Sequence, residues 1–170
     1  MFASLVITLA IVSAVPPPAP APALQKNPDF TGTWVEDEKQ RKITPPLQEA
    51  PKNMAVITGP PPQKIITQTA QMIRIDNPWQ HGVVTYIYKL DGSESVNLNG
   101  ANTQTTRSRW EGGKLITEGT SFSETSAGES TWKFKEVRWM NASGAMVSET
   151  SNIDEAGKLH HVVRVFTRKK

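Results

Sequence analysis

The pattern of apolar and polar positions between Thr31 and Arg168 is almost entirely that of β-strands, and Thr31–Asp37 shows the alternation of a half-buried strand. Nine segments are predicted to be strands. They are Thr31–Asp37, Lys64–Thr69, Gln71–Asp76, Val83–Leu90, Thr103–Trp110, Lys114–Phe122, Ser130–Met140, Ala145–Ile153 and Leu159–Arg168. Between residues 38 and 63 six prolines interrupt the pattern and disfavour a long helix, although one or two helical turns around Lys52–Ile57 remain compatible.

Short connections join most of these segments, and pairs such as Asp91-Gly92 and Gly112-Gly113 are typical of tight hairpin turns. Parallel strands would need crossovers of a dozen or more residues, for which the chain has no room. The fold class is therefore predicted as all-β, an antiparallel meander of about 8–10 strands that closes into a barrel and so removes its exposed edges. An open, curved sheet is the alternative.

Two of the long predicted strands carry apolar residues on both faces. Trp132 and Phe134 share one face of Ser130–Met140, while Val137 and Trp139 share the other. A barrel with a partly polar interior would give this pattern, and so would a bulge that changes the register.

The N-terminal region reads as an export signal followed by a spacer. Residues 2–15 form an apolar run that is too short to cross a bilayer as a helix and fits the core of a signal peptide. Prolines from Pro16 to Pro22 then favour an extended segment. We expect a signal peptide with its Pro-rich segment at 1–23, a linker at 24–29 and a barrel domain at 30–170, with no membrane span in the mature form and a periplasmic or extracellular location. An uncleaved anchor is the alternative.

Composition narrows the function classes. The chain has no Cys, which excludes disulfides, thiolate metal sites and a Cys nucleophile. After Leu24 only 47 of 146 residues are apolar, so the core must be thin. A net charge of +3 is mild and gives nucleic-acid binding little support.

No catalytic or cofactor motif stands out. The adjacent His160 and His161 point to opposite faces of a strand, so at most one could join His81 in a metal site. The carboxylates show no convergence in sequence, and neither a nucleophile elbow nor a phosphate loop is present. We therefore expect no metal, no cofactor and no enzymatic activity.

The order of several short motifs resembles a known superfamily. Phe30-Thr31-Gly32-Thr33-Trp34 is similar to the Gly-x-Trp opening of lipocalin-like and fatty-acid-binding proteins, the calycin superfamily. Segments 88–95, 107–115 and 163–166 resemble small exported lipocalin-like proteins of bacteria. The resemblance covers about residues 30–168 and implies a lipocalin-like barrel.

This resemblance also implies roles for individual residues. Gly32 would permit close backbone approach at the start of the barrel, and Trp34 would plug its closed end. Arg164 would pack across Trp34 as a cation–π partner, as a final-strand arginine does in lipocalins. In fatty-acid-binding proteins a late Arg-x-Tyr pair holds the ligand carboxylate. Arg164-x-Phe166 lacks that hydroxyl, so this second role is the alternative for Arg164.

Several aromatic and basic residues are candidates for a ligand site inside the barrel. The candidate ligand-binding residues are Tyr86, Tyr88, Arg107, Arg109, Trp132, Phe134 and Arg164. Arg107 and Arg109 would attract an anionic head group if they point inward, and would form a basic outer stripe otherwise.

The leading hypothesis is an exported, non-catalytic barrel that binds a small hydrophobic or amphipathic ligand. A cell-envelope structural or interaction protein with a filled barrel is the alternative, and an enzyme on a barrel scaffold is a remote one. The sequence indicates no specific protein partner.

Overall fold

The computed structural model describes residues 27–44, 62–126, 128–153 and 157–170. Eleven strands and one turn of 3₁₀ helix at Glu38–Gln40 make up the regular structure of these residues. The strands are β1 (Gly32–Glu36), β2 (Lys42–Thr44), β3 (Gln63–Gln68), β4 (Met72–Trp79), β5 (Gly82–Lys89), β6 (Glu94–Asn99), β7 (Asn102–Glu111), β8 (Lys114–Thr125), β9 (Gly128–Met140), β10 (Met146–Ile153) and β11 (Leu159–Arg168). The predicted signal peptide and the possible helical turns around Lys52–Ile57 lie outside the described residues.

All strand pairs are antiparallel, and ten strands follow one another in the order β5-β4-β3-β1-β11-β10-β9-β8-β7-β6. The short strand β2 pairs with the first half of β11, while β1 pairs with the last residues of β11. The sheet thereby curls into a nearly closed barrel, and the predicted all-β meander is confirmed. Strands β2 and β6 were not predicted.

The barrel is incomplete only where its two edge strands, β5 and β6, face each other. Side chains of β6 bridge this gap. Asn97 Oδ1 accepts from the backbone N–H of Ile87, and Asn97 Nδ2 donates to the Ile87 carbonyl. Ser95 Oγ accepts from the N–H of Lys89. Two polar side chains therefore replace part of the missing backbone ladder.

The two ends of the barrel differ in how they are filled. We call the end that carries the turns at residues 69–71, 90–93, 112–113 and 141–145 the closed end, and the opposite end the open end. A hydrophobic cluster fills the closed end, with Phe30, Trp34, Ile66, Leu115 and Met146 among its buried members. At this end Glu111 pairs with Lys114 across Gly112-Gly113, both at positive φ, as a two-residue hairpin turn requires.

Large hydrophobic side chains are exposed around the open end. Among the described residues, five of the six that are more than half exposed lie there, next to turns or strand ends. They are Trp79, Val83, Leu98, Ile153 and Leu159. We call these five residues the apolar rim. Within the described ranges no helix is long and apolar enough to cross a membrane.

Candidate functional site

The barrel contains a cavity of about 720 Å³ that reaches from the open end to the hydrophobic cluster. Inward side chains of β3–β5 and of β9–β11 form most of its wall. Because side chains alternate along a strand, the β9 residues Trp132, Phe134, Glu136 and Arg138 all face it. Ligand pockets usually measure about 300–1,000 Å³, and this volume falls within that range. The side chains described do not fill the barrel.

Aromatic side chains form one part of the wall. Tyr86 and Tyr88 lie two residues apart on β5 with parallel rings whose centroids are 6.1 Å apart. The Tyr88 hydroxyl donates to Gln104 Oε1 at 3.0 Å, and burial raises the pKa of this phenol, so it stays protonated. With Trp132 and Phe134, four of the seven candidate ligand-binding residues line the cavity through aromatic rings.

A buried ion pair occupies the β9 side of the cavity. Arg138 Nη2 donates to Glu136 Oε1, and Ser148 Oγ of the neighbouring strand donates to the same oxygen at 2.6 Å. Burial opposes ionisation of Glu136, but Arg138 and Lys64 outweigh it and hold the pKa of this carboxyl below its usual value. Arg138 Nε is buried without a hydrogen-bond partner among the described residues, so this guanidinium keeps donor capacity.

A second ion pair lies where β1 meets β11. Glu36 is buried, and its Oε1 accepts from Arg41 Nε. The Arg164 guanidinium approaches the same oxygen, with Nε at 3.7 Å. Arg164 therefore lines the cavity as predicted for a ligand-binding residue, whereas a role in binding stays a prediction.

Lys64 brings an amine into the cavity wall. Its Nζ donates to Asn77 Oδ1 at 2.9 Å and lies 5.6 Å from the centre of the Phe166 ring. Burial lowers the pKa of Lys64 from 10.5 to about 8. Among the described residues, no carboxylate forms an ion pair with this amine.

The expected partner of Trp34 was wrong. Arg168, which pairs directly with Trp34 across β1 and β11, places its guanidinium carbon 4.7 Å from the Trp34 ring centre. Arg164 lies four residues earlier on β11 and faces the cavity instead. Trp34 itself is fully buried at the closed end, and its Nε1 donates to the Phe30 carbonyl.

Gly32 is required for a different reason from the one expected. Its φ of +138° is rarely accessible to other residues, whereas an added Cβ would lie 3.6 Å from Arg168, which is ordinary contact. Backbone conformation, not lack of space, therefore explains glycine at this position.

Arg107 and Arg109 point away from the cavity. Arg107 pairs with Glu94, and Arg109 pairs with Glu111 and Glu118. Both arginines line a groove of about 620 Å³ on the outer face of the sheet. The alternative of an outer basic stripe thus describes these two residues, and the inward pair does not.

His81 and His161 each contact a different residue. His81 packs edge-on against Trp79, and His161 pairs with Glu149 at 2.9 Å. Within the ranges that the structure describes, no group of three or more His, Cys, Asp or Glu side chains could hold a metal ion.

Sequence reasoning did not identify Glu36, Lys64, Glu136 and Arg138 as cavity residues. For two of them the sequence contained a signal. Glu136 and Arg138 follow Trp132 and Phe134 at every second position of the same strand. If the two aromatic side chains face inward, the two charged side chains must face inward as well. Lys64 and Glu36 depend on the pairing of β1 with β3 and β11, which the sequence does not reveal.

Comparison with solved structures finds the same barrel in lipid-binding proteins. A structure described as "REP1-NXSQ fatty acid transporter" superposes with a TM-score of 0.53 at 14% identity, over 82% of this chain and 96% of the other. Apo lipid binding protein 8 of Caenorhabditis elegans gives 0.51 at 12% identity, over 82% and 95%. No protein-family model and no curated protein sequence matches the chain. At such low identity the likeness establishes the fold, which is the calycin-type barrel that the resemblance implied.

Proposed function

We propose that this protein binds a small amphipathic molecule inside its barrel, without turning it over. The observation that carries the proposal is the 720 Å³ cavity whose wall is aromatic on one part and charged on another. Such a wall offers one region to an apolar body and another to a polar end. The names of the two structural neighbours, a fatty acid transporter and a lipid binding protein, support the same ligand class.

The charges of the wall favour an anionic polar end. Among the residues that the structure describes, four cationic side chains line the cavity and two carboxylates accompany them. The cations are Arg41, Lys64, Arg138 and Arg164, and the carboxylates are Glu36 and Glu136. Because unpaired buried charge is costly, a ligand carboxylate, sulfonate or phosphate would offset the surplus. The free Nε of Arg138 supplies a donor for it.

Dye titration of wall variants tests the proposal. We expect 1-anilinonaphthalene-8-sulfonate, an anionic aromatic probe, to bind the full chain saturably and with one-to-one stoichiometry. Val162→Trp places a large ring in the cavity wall and should weaken binding at least tenfold. Val96→Trp, the same change at an exposed position on the outer face of β6, is the matched control and should leave binding unchanged.

Two further measurements keep this experiment decisive. Near-UV circular dichroism must show native packing, because molten proteins also bind such dyes. Leu98→Ser removes the most exposed side chain of the apolar rim, so loss of dye signal in this variant would locate the probe on the rim. Equal binding by wild type and both tryptophan variants would refute a cavity site.

The outer groove supports a second candidate function, that of an interaction protein. Its wall carries four cations, Arg107, Arg109, Lys133 and Lys135, against the two carboxylates Glu94 and Glu118, next to exposed Ile153 and Leu159. Such a surface fits an acidic, partly apolar partner. Affinity capture from envelope extract should then recover a partner with the wild type and lose it with Lys133→Glu. Recovery by neither protein would count against this candidate.

We also propose that the protein is exported, on the basis of the apolar run at residues 2–15. Fractionation of expressing cells followed by N-terminal sequencing tests this. A mature protein that starts after Ala14 or Ala23 in the exported fraction is expected. Retention of Met1 in the cytosolic fraction would contradict it.

A further inference from the structure

One group in the cavity wall is an amine, and it has the surroundings of a nucleophile. Lys64 faces the cavity from β3, directly opposite Trp34 in the β1–β3 ladder. Its Nζ is held by a single neutral acceptor, Asn77 Oδ1, and by the face of Phe166. Neither contact consumes the nitrogen lone pair that a neutral amine would carry.

We propose that Lys64 captures an aldehyde ligand by forming an imine inside the barrel. The inference rests on the proposed ligand cavity and names a class of ligand for it, an aldehyde with an apolar chain or ring. Its neutral carbonyl, and not an anionic group, would then be the polar end that meets Lys64. Lysines desolvated in apolar pockets are the ones that form Schiff bases in proteins.

The chemistry balances without any further reagent. Lys64 first loses a proton to water, and the lone pair of its Nζ attacks the aldehyde carbon to give a carbinolamine. A C–N bond forms, the C–O bond then breaks, and one water molecule leaves. The product is an imine that takes up a proton to become an iminium ion. Nothing is oxidised or reduced, and hydrolysis reverses the capture.

The surroundings of Lys64 favour this step in two ways. Its pKa of about 8 leaves roughly a tenth of the amine neutral at neutral pH, against less than a thousandth for an exposed lysine. The charged groups that act on it come from β1, β9 and β11. Glu136 and Glu36 favour the protonated nitrogen, whereas Arg138 and Arg164 disfavour it. The same carboxylates can balance the charge of the iminium ion.

Reductive trapping tests the inference. The full chain is incubated with one equivalent of decanal and sodium cyanoborohydride near neutral pH, and digestion followed by mass spectrometry locates the decyl group. We expect a decyl group on Lys64 at an initial rate roughly a hundred times that of any exposed lysine. The α-amino group has an ordinary pKa of about 8 and is also labelled, and the digest resolves that peptide separately. Anilinonaphthalene sulfonate should compete with the labelling.

Three variants make the result specific. Lys64→Met should abolish the adduct at position 64, and Lys64→Arg should do the same while retaining the positive charge. Lys114→Met removes an amine that lies over the exterior Trp139 ring and should leave the adduct unchanged. Mapping on the wild-type chain remains informative even if a Lys64 variant fails to fold.

The outcomes separate the inference from the proposed function. Decyl groups spread over several lysines, with no preference for Lys64, would overturn imine capture. If the dye still bound in the cavity under those conditions, the proposed function would stand. Absence of both dye binding and a Lys64 adduct would refute the two together.

Discussion

Charged residues inside the barrel are costly to bury. Removing a charge from water costs several kcal/mol unless a partner and further hydrogen bonds compensate it. Glu136 meets this requirement through Arg138 and Ser148, and Glu36 meets it through Arg41. Among the described residues, Lys64 has one hydrogen bond, to the Asn77 amide, and the face of the Phe166 ring. At the scale of single residues, Lys64 is therefore the most poorly compensated charge of the cavity wall.

The poorly compensated charge of Lys64 predicts how the free energy of unfolding depends on pH. The pKa of Lys64 is about 8 in the folded chain and about 10.4 when unfolded, so the unfolded state binds more protons between these values and stability rises with pH there. Below pH 8 the unfavourable contribution is fully present, about 3 kcal/mol. The Lys64→Met variant should therefore exceed wild type in stability by the largest amount near neutral pH. This difference in the free energy of unfolding should vanish by about pH 10.5. Urea unfolding of both proteins across this range measures it. A difference that does not change with pH would contradict the assignment.

The two arginines of β11 should respond differently to the same substitution. Arg168→Leu removes the cation above Trp34 and should cost about 0.5–1 kcal/mol, with a change in tryptophan fluorescence. Arg164→Leu removes a cavity charge and should weaken binding of the anionic dye while leaving the Trp34 emission unaltered. Chemical unfolding and emission spectra of both variants are the measurement. A reversed pattern would restore Arg164 as the partner of Trp34.

At the scale of elements, hydrogen bonds from side chains replace backbone hydrogen bonds across the gap between β5 and β6. Asn97 makes both of its gap contacts to Ile87, and Ser95 reaches Lys89. Edge strands normally expose unpaired N–H and C=O groups that invite another strand. Here two inward side chains occupy part of that edge, so the barrel gains near-closure without a further strand.

Asn97→Ala should open this gap. The variant loses two hydrogen bonds and is expected to be less stable by about 2 kcal/mol. The amide of Ile87 should also exchange its hydrogen faster. Val96→Thr, the neighbouring outward position with a similar shape, is the control and should change neither quantity. Unchanged exchange at Ile87 in Asn97→Ala would show that β6 does not depend on this bridge.

The same strand shows what the sequence could and could not predict. Alternation located the strands with apolar inward residues, such as Ile73 and Ile75 of β4, and short glycine turns indicated their antiparallel order. Strand β6 was not predicted. It does alternate, but with the usual faces reversed: its polar Ser95 and Asn97 point inward, and its apolar Val96 and Leu98 are exposed. Arg168 was not predicted as the partner of Trp34 because the register between β1 and β11 decides which arginine lies beside Trp34. That register follows from strand pairing across the barrel, which the sequence does not reveal.

At the scale of the whole molecule, the barrel separates its apolar packing from its cavity. The buried apolar side chains gather at the closed end, and the cavity with its charges takes the rest of the interior. This division explains how so few apolar residues can stabilise the fold. The hydrophobic cluster at the closed end holds together long strands that extend beyond it. Rim residues at the open end add exposed apolar surface and little packing.

One substitution made at both ends tests this division. Leu115 is fully buried at the closed end and Leu98 is 74% exposed at the open end. Leu115→Ala should lower the free energy of unfolding by about 2–4 kcal/mol, since it leaves a cavity in the only large apolar cluster of the described residues. Leu98→Ala should change it by less than about 0.5 kcal/mol. Urea unfolding gives both values. A comparable loss for Leu98→Ala would mean that the rim is packed against another part of the protein, and stability would then have to be shared between the two ends.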